Sequence, residues 1–528
     1  MRLLTSVLSG VALVFLVTAI DQDSLACTSD TLQLYSPVNA DTAITLQKLI
    51  DDAATQNVST VILPPGQVVL DDHTPIVLRP GVSLKGSQDR PTIFTVKDGN
   101  SQLGSILVPH DNVGWSITNI VFENVNILIE PHSNEYDSFI FGNIFINGGR
   151  GSVIADRGEQ LYIDGNIFLR DEAHAGTVMI PSYDTTNTGI LFQTQKRSVI
   201  SNNIFGMDMR KIADVKPYVT SELQRNLEVI EFLRSCLNKP IADEQGYLAS
   251  GVQLYMTNGI TIRENIMNGT FPDVKAVAQD HAISIVGSNQ TYIYQNFFAG
   301  WQLADFGGAA RFTSAVDGYF VSNYLANTAV MMYVANHADF MQVSNIVVHD
   351  NFFYRFLDHS FDPPAPLDGW LYEAVTFFDF WTARYNNTIR PPIWNSSVPI
   401  SPWASQITVE HNKFGAAPGI DPNVISLGNL NPKEAFISKS NCYVTEPLLP
   451  ASETPGVVPL LWRQQFVENV VTPYGGKIPM KVDFYTDEDL IERVPVHLRD
   501  LTIPPFWQAF QLRNDSVPMH DPHTPCIQ

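Results

Sequence analysis

One short pattern recurs along the chain and restricts its possible folds more than any other feature. An alternating β-branched or aromatic strand runs into an Asn, and two apolar residues follow. It reads Ser116-Ile117-Thr118-Asn119-Ile120-Val121-Phe122, then Phe139-Ile140-Phe141-Gly142-Asn143-Ile144-Phe145, then Tyr162-Ile163-Asp164-Gly165-Asn166-Ile167-Phe168. Later copies centre on Asn203, Asn265, Asn296, Asn323, Asn351 and Asn412. Spacings of 23 residues from Asn143 to Asn166 and 31 from Asn265 to Asn296 suit one coil of three short strands joined by turns. The wider gaps, 203 to 265 and 351 to 412, read as long loops leaving the coil, or as coils whose Asn is missing.

Stacked coils explain the residue types. Each strand pairs in parallel with the copies above and below it, which satisfies the backbone. Apolar residues at alternate positions fill a thin core. An Asn at each turn accepts unusual backbone angles, and its amide can hydrogen-bond to the next copy. A β-sandwich with coincidental Asn turns is the competing fold, and nine copies of one pattern argue against it. The expected class is therefore all-β, a right-handed parallel β-helix solenoid with an N-terminal capping helix, one helical loop insertion and a wrapping C-terminal tail. A chain of 528 residues exceeds one compact core, which an elongated repeat accommodates.

The ends of such a coil need covers. Over 42–54, Ile44, Leu46, Leu49, Ile50 and Ala53 recur at helical spacing, so a helix is expected to plug the N-terminal end. Strands follow at 60–63 and 75–78, with turns at Pro64-Pro65-Gly66 and Pro80-Gly81. The first wide gap contains a second helix, with Ser221 as its cap and Leu223, Leu227, Ile230, Leu233 and Leu237 on one face. The second is rich in aromatics and Pro. The expected organisation is a signal peptide at 1–26, the β-helix at 27–429 with insertions near 206–250 and 357–404, and an irregular extension at 430–528.

Arg2, the apolar run from Leu3 to Ile20 and the small residues of Ser24-Leu25-Ala26 read as a secretory signal. No later segment is long and apolar enough to span a membrane. Six Asn-x-Ser/Thr sequons, at Asn57, Asn268, Asn289, Asn386, Asn395 and Asn514, fit a secreted, extracellular glycoprotein. Cys27, Cys236, Cys442 and Cys526 allow two disulfides in any of three pairings. A net charge of −22 disfavours nucleic acid as a partner, and polyanions too unless a local basic site or bound cation reverses the field. A monomer is expected.

Two further segments match a known family. Val61-Ile62-Leu63-Pro64-Pro65-Gly66 and Leu78-Arg79-Pro80-Gly81-Val82-Ser83-Leu84-Lys85-Gly86, followed by the Asn-ended coils, resemble the pectin-lyase-like superfamily of right-handed β-helix proteins. The likeness spans roughly 34–420 and implies polysaccharide lyases, glycoside hydrolases, C5-epimerases or non-enzymes.

Aligning coils on Asn265, Asn296, Asn323 and Asn351 stacks Gln253, Ser284, Arg311 and Asp339 in one outward column, and Tyr255, Val286, Thr313 and Met341 in the next. Asp280, His281 and His337 lie near the strand starts. The candidate catalytic residues are therefore His281, Arg311, Asp280, His337, Asp339 and Tyr255. Gln253, Trp370 and Trp394 are candidate substrate contacts, the tryptophans as stacking faces for sugar rings. Asp280-His281-Ala282-Ile283-Ser284-Ile285 is similar to Asp-His segments of β-helix hydrolases and epimerases, but the paired-Asp, Gly-His-Gly and complete Asp-Pro-His-Asp patterns are absent.

In uronate lyase or epimerase chemistry Arg311 or a Ca2+ would neutralise the carboxylate, His281 or His337 would take the proton, and Tyr255 would donate one. A hydrolase would use Asp280 and Asp339, with Asp305 in reserve. A second acidic patch, Asp156, Glu159, Asp164, Asp171, Glu172 and His174, is either a Ca2+ site or a solvated surface. The expected function is a secreted carbohydrate-active enzyme acting on a polysaccharide, by lyase or C5-epimerase chemistry. A β-helix hydrolase and a non-catalytic β-helix binding protein are the alternatives. No protein metal site is assigned.

Overall fold

A computed structural model describes residues 42–70, 74–96, 104–131, 135–170, 188–241, 248–269, 281–301, 308–334, 342–356, 375–379, 404–418, 425–427, 436–445, 460–462, 494–510 and 519–527. The 1–26 signal segment lies outside them. Their strands form three parallel ladders. We call the sheet before each Asn turn sheet 1, the one after it sheet 2, and the one that closes the coil sheet 3. Sheet 2 has 12 strands, and the 23-stranded sheet is two ladders of twelve sharing one long bent strand, Val153–Asp164. Left-handed residues Arg157 and Gln160 bend that strand from sheet 3 into sheet 1. Parallel strands joined by crossovers wind right-handed, so the chain is a right-handed parallel β-helix.

The asparagines do line up along one edge. Each Oδ1 accepts from the backbone N–H of the equivalent residue one coil earlier, from Asn143 through Asn166, Asn203, Asn265, Asn296, Asn323, Asn351 and Asn412 to Asn441. Two details differ from the sequence reading. Asn119 is not in the ladder, because Ile144 pairs with Val121 and so Ile120 takes the ladder position. Asn441, one coil beyond Asn412, is the last member among the described residues.

The division of labour in the turn also differs. The left-handed residue is the one before the ladder Asn: Asn202, Glu264, Gln295, Ser322, Asp350, His411 and Ser440 all have φ between 50 and 56°. The ladder Asn itself is buried and works through its amide.

Both wide gaps are single coils, since Asn203 bonds directly to Asn265 and Asn351 to Asn412. The span 357–404 is not all insertion, because Val375–Asp379 is a sheet 3 strand paired with Val330–Val334. The coil also runs past 429. Phe436–Lys439, Cys442–Tyr443 and Leu460–Trp462 extend sheets 1, 2 and 3.

Inside the coil, Phe122, Phe145, Phe168 and Phe205 stack face to face with centroids 4.9, 5.0 and 4.7 Å apart. This is the aromatic counterpart of the Asn ladder, one ring per coil. The N-terminal helix, Thr42–Thr55, caps this core with Leu46, Ile50 and Ala53. Ile44 is 71% exposed, so it is not part of that apolar face. The inserted helix spans Ser221–Ser235, and its cap is Thr220, whose hydroxyl accepts from Leu223 N–H; Ser221 bonds Glu222 instead.

That helix covers the outer face of sheet 2, joined by Phe506, Trp507, Phe510 and Met519 of the tail. Val494 and Leu498 cover Tyr319, Val321 and Val347 on sheet 1. The Cys442–Cys526 disulfide ties the tail to the last sheet 2 strand. Cys236 is also disulfide-bonded, to a partner outside the described residues.

Candidate functional site

The coil gives each sheet a different surrounding. From Asn143 to Asn441 the connection between sheets 1 and 2 is one left-handed residue and one Asn, which leaves no room for a loop along the ladder. Sheet 3 is bordered by connections of very different length. From sheet 2 into sheet 3 the chain runs from Leu169 to Thr188, Phe205 to Ser250, Asn268 to His281 and Ala299 to Gly308. From sheet 3 onward it runs from Val334 to Val343 and Asp379 to Ala404. In repeat proteins, insertions that gather on one side mark the face used for binding. The apolar residues of the inserted helix and the tail, meanwhile, pack on sheets 2 and 1.

Sheet 3 carries two outward columns, because Val252, Leu254, Ile283, Ile285, Ala310 and Phe312 take the inward positions. One column reads Leu191, Gln253, Ser284, Arg311, Met331. The other reads Asp156, Gln193, Tyr255, Val286, Thr313, Tyr333. Gln193, Gln253, Tyr255, Arg311 and Tyr333 are half-buried. Arg311 donates from Nη2 to Ser284 Oγ at 3.3 Å, which lays the guanidinium along the column. Adjacent strands lie about 4.8 Å apart, so Gln253 is roughly 10 Å from Arg311, and Tyr255 roughly 14 Å from Tyr333.

The expected column Gln253, Ser284, Arg311 is therefore correct in register, and Tyr255 stands beside it. Its continuation is corrected. The residue next to Arg311 is Met331 and the one next to Thr313 is Tyr333, where Asp339 and Met341 were expected. The reason is loop placement. In this coil the chain passes from Ala326 to Val330 in one tight turn, and the long connection follows the strand instead of preceding it. Asp339 and Met341 thus follow the strand, outside the described residues. Tyr333 was missed for the same reason, although the apolar run Val330-Met331-Met332-Tyr333-Val334 is itself a strand signal.

His281 is corrected too. It has the alternation of Ile283 and Ile285, is fully buried, and sits in register with Gly308. Its ring belongs to the wall of the coil, not to the open face. Asp280, Asp305, His337, Asp339, Trp370 and Trp394 lie outside the described residues.

The second acidic patch is divided between faces. Asp156 projects from sheet 3 and accepts from Thr194 Oγ1 at 2.9 Å. Glu159 pairs with Arg197, whose hydrogen bond and charge hold its carboxyl below the usual range. Asp164 accepts from Ser201 and Asn202 on sheet 1. Asp171, Glu172 and His174 are outside the described residues. Among the described residues no three His, Cys, Asp or Glu side chains converge as metal ligands.

The chain has the right-handed parallel β-helix fold. No family profile and no curated protein matches it. Solved structures similar to it include the Streptococcus pneumoniae surface adhesin PfbA, at 12% identity over 76% of this chain and 86% of that one, with a TM-score of 0.46. The A-module of the Azotobacter vinelandii mannuronan C-5 epimerase AlgE4 is 12% identical over 80% of this chain and 96% of that one, with a TM-score of 0.41. A PL6 alginate lyase is 11% identical over 82% of this chain and 88% of that one, with a TM-score of 0.40. At these identities the likeness is one of fold.

Proposed function

We propose that the chain is an extracellular carbohydrate-active protein that binds an acidic polysaccharide along the outer face of sheet 3. The observation that carries this reading is the coincidence of two features on that sheet. The variable connections border it, and its central strands present Arg311 with Gln253 and Tyr255 on one side and Tyr333 on the other. Arg311 suits a uronate carboxylate, since a guanidinium fork can take both oxygens. Its positive charge is local, and it offsets the repulsion expected from a chain of net charge −22.

For the chemistry, we infer uronate lyase or C5-epimerase action. Arg311 would hold the carboxylate and stabilise the negative charge that spreads into it when the adjacent carbon loses its proton. In a lyase that electron pair forms the carbon–carbon double bond, the glycosidic bond to O4 breaks, and the leaving oxygen gains a proton. In an epimerase the proton returns on the opposite face. Tyr333 is the better placed phenol to carry a proton, because it lies on the next strand and diagonal to Arg311, whereas Tyr255 is two strands away. The burial of His281 favours one second reading, a non-catalytic polysaccharide-binding coil using the same face.

The test is incubation with polyuronates of several kinds. Unsaturated uronate absorbance identifies a lyase, inverted C5 signals by NMR an epimerase, and binding alone the second reading. Arg311→Ala is expected to abolish binding and turnover without changing the circular dichroism. Tyr333→Phe should leave binding intact and lower turnover by roughly 100-fold or more. Unaltered binding by Arg311→Ala would remove this face from consideration.

A further inference from the structure

The N-terminal end of the coil carries an exposed feature that the sheet 3 face does not use. The first sheet 1 strand, Thr60–Ile62, pairs with Ser83–Lys85 and, among the described residues, with nothing on its other side. Ile62 is 52% exposed on that strand, and Ile44 on the capping helix 71%. An open edge with apolar side chains is a template for pairing with another chain.

Asn57 stands between helix and strand. It is the left-handed residue that ends the helix, with φ 55°, and Val58 N–H donates to Ala53 O at 2.8 Å to close the turn. Asn57 and Ser59 are both exposed, and they are the first and third residues of Asn57-Val58-Ser59.

The other described sequons contrast with it. Asn268 lies in a sheet 2 strand, in register with Ala299, and is 4% exposed. In Asn289-Gln290-Thr291 the Thr is 1% exposed, and Asn289 Oδ1 is buried. A glycan at Asn268 could not be accommodated in the stacked coil.

We propose that Asn57 is an N-glycosylation site and that its glycan covers the edge strand Thr60–Ile62 at the N-terminal end of the coil. The reaction requires a lipid-linked oligosaccharide in the secretory pathway. The amide Nδ2 of Asn57 forms a bond to the anomeric carbon, the bond from that carbon to the lipid pyrophosphate breaks, and the amide releases one proton. A bulky, solvated substituent at this turn projects beside Thr60–Ile62 and obstructs a second chain from pairing there.

The test expresses the full chain, with its own N-terminus, in a eukaryotic secretory host. Enzymatic removal of glycans in 18O-water, followed by peptide mass spectrometry, reports occupancy at each sequon of the folded, secreted protein. Asn57 is expected to be occupied in most molecules and Asn268 in none. Ser59→Ala removes the sequon but keeps Asn57 in its cap and the Ser59 carbonyl that accepts from Ser83 N–H. This variant should fold as the parent does and show concentration-dependent association by sedimentation that the glycosylated parent lacks. An unoccupied Asn57, a glycan on Asn268 in folded protein, retention of the chain in the cytosol, or a Ser59→Ala variant no more associated than the parent would each overturn the proposal.

Discussion

Replacing Asn265 by Ala tests whether the buried amides hold the coils together. Asn265 Oδ1 accepts from the backbone N–H and from Nδ2 of Asn203, at 2.9 and 3.0 Å. Its Nδ2 donates to Ile200 O, Arg263 O and Asn296 Oδ1, at 3.1, 2.9 and 3.0 Å. In the variant, the Asn203 amide Nδ2 keeps two partners, Ile163 O and Ser201 O, but the Asn203 backbone N–H loses its only acceptor in the ladder. One buried orphan costs about 1–3 kcal/mol, and the space left by the amide adds to it, so a loss of about 2–4 kcal/mol is expected.

A repeat protein couples each coil mainly to its neighbours, so the loss should be local. Native-state hydrogen exchange reads it directly: amides of the coils around Asn203 and Asn296 should exchange roughly 30- to 1,000-fold faster. Asn441→Ala, at the end of the ladder and less fully buried, should cost about 1 kcal/mol. Exchange around Asn265→Ala within a factor of two of the parent would show that the ladder is not a source of stability.

Three further outcomes follow from the packing. Phe168→Ala removes a ring stacked on both sides by Phe145 and Phe205, and should cost about 3–5 kcal/mol, read as a shift of the urea midpoint; a shift below about 1 kcal/mol would refute a close-packed interior. Cys526→Ser opens a loop with a sequence separation of 84 residues, worth up to about 4.5 kcal/mol of denatured-state entropy. Limited proteolysis should then release the tail, which Lys413 Nζ also holds through Pro522 O and Thr524 O, before it cuts the coil; equal cleavage in parent and variant would argue against that anchor. Burial pushes Tyr354 up to about 12 and raises Tyr324 as well. Both phenols are neutral in either state below pH ~10, so stability is unaffected there; above it the unfolded chain loses protons first, and stability should fall as pH rises towards about 12. Complete tyrosinate absorbance near pH ~10 with an unchanged far-ultraviolet spectrum would contradict that burial.

The fold was legible because its determinant is local and repeated. A strand, a left-handed residue and an Asn recur in the chain order that the structure uses. What could not be read was register across connections of unequal length. Asp339 and Tyr333 show why: the loop can lie before or after a sheet 3 strand, and the Asn markers sit on the opposite side of the coil. The error moved the column by several residues and replaced Met331 with a carboxylate. His281 failed differently. Ile283 and Ile285 mark the inward positions, so alternation assigns His281 inward as well; its place beside Asp280 is what suggested chemistry.

That same asymmetry bears on where function can reside. Along the ladder the turn between sheets 1 and 2 cannot vary, since a longer loop would break the chain of amides from Asn143 to Asn441; longer connections there belong to coils before it, as between Lys85 and Thr92. The apolar outer face of sheet 2 must be covered, and the inserted helix and the tail cover it. Sheet 3 is under neither demand. Its inward positions are set by the core, while its outward positions are free to carry polar groups, and its borders tolerate loops of any length. A half-buried arginine is therefore placed where the architecture permits a recognition face at least cost in stability. If Arg311 served only to pair with neighbours, Arg311→Ala would lower stability and leave polyuronate binding unchanged; the reading given above requires the opposite pattern.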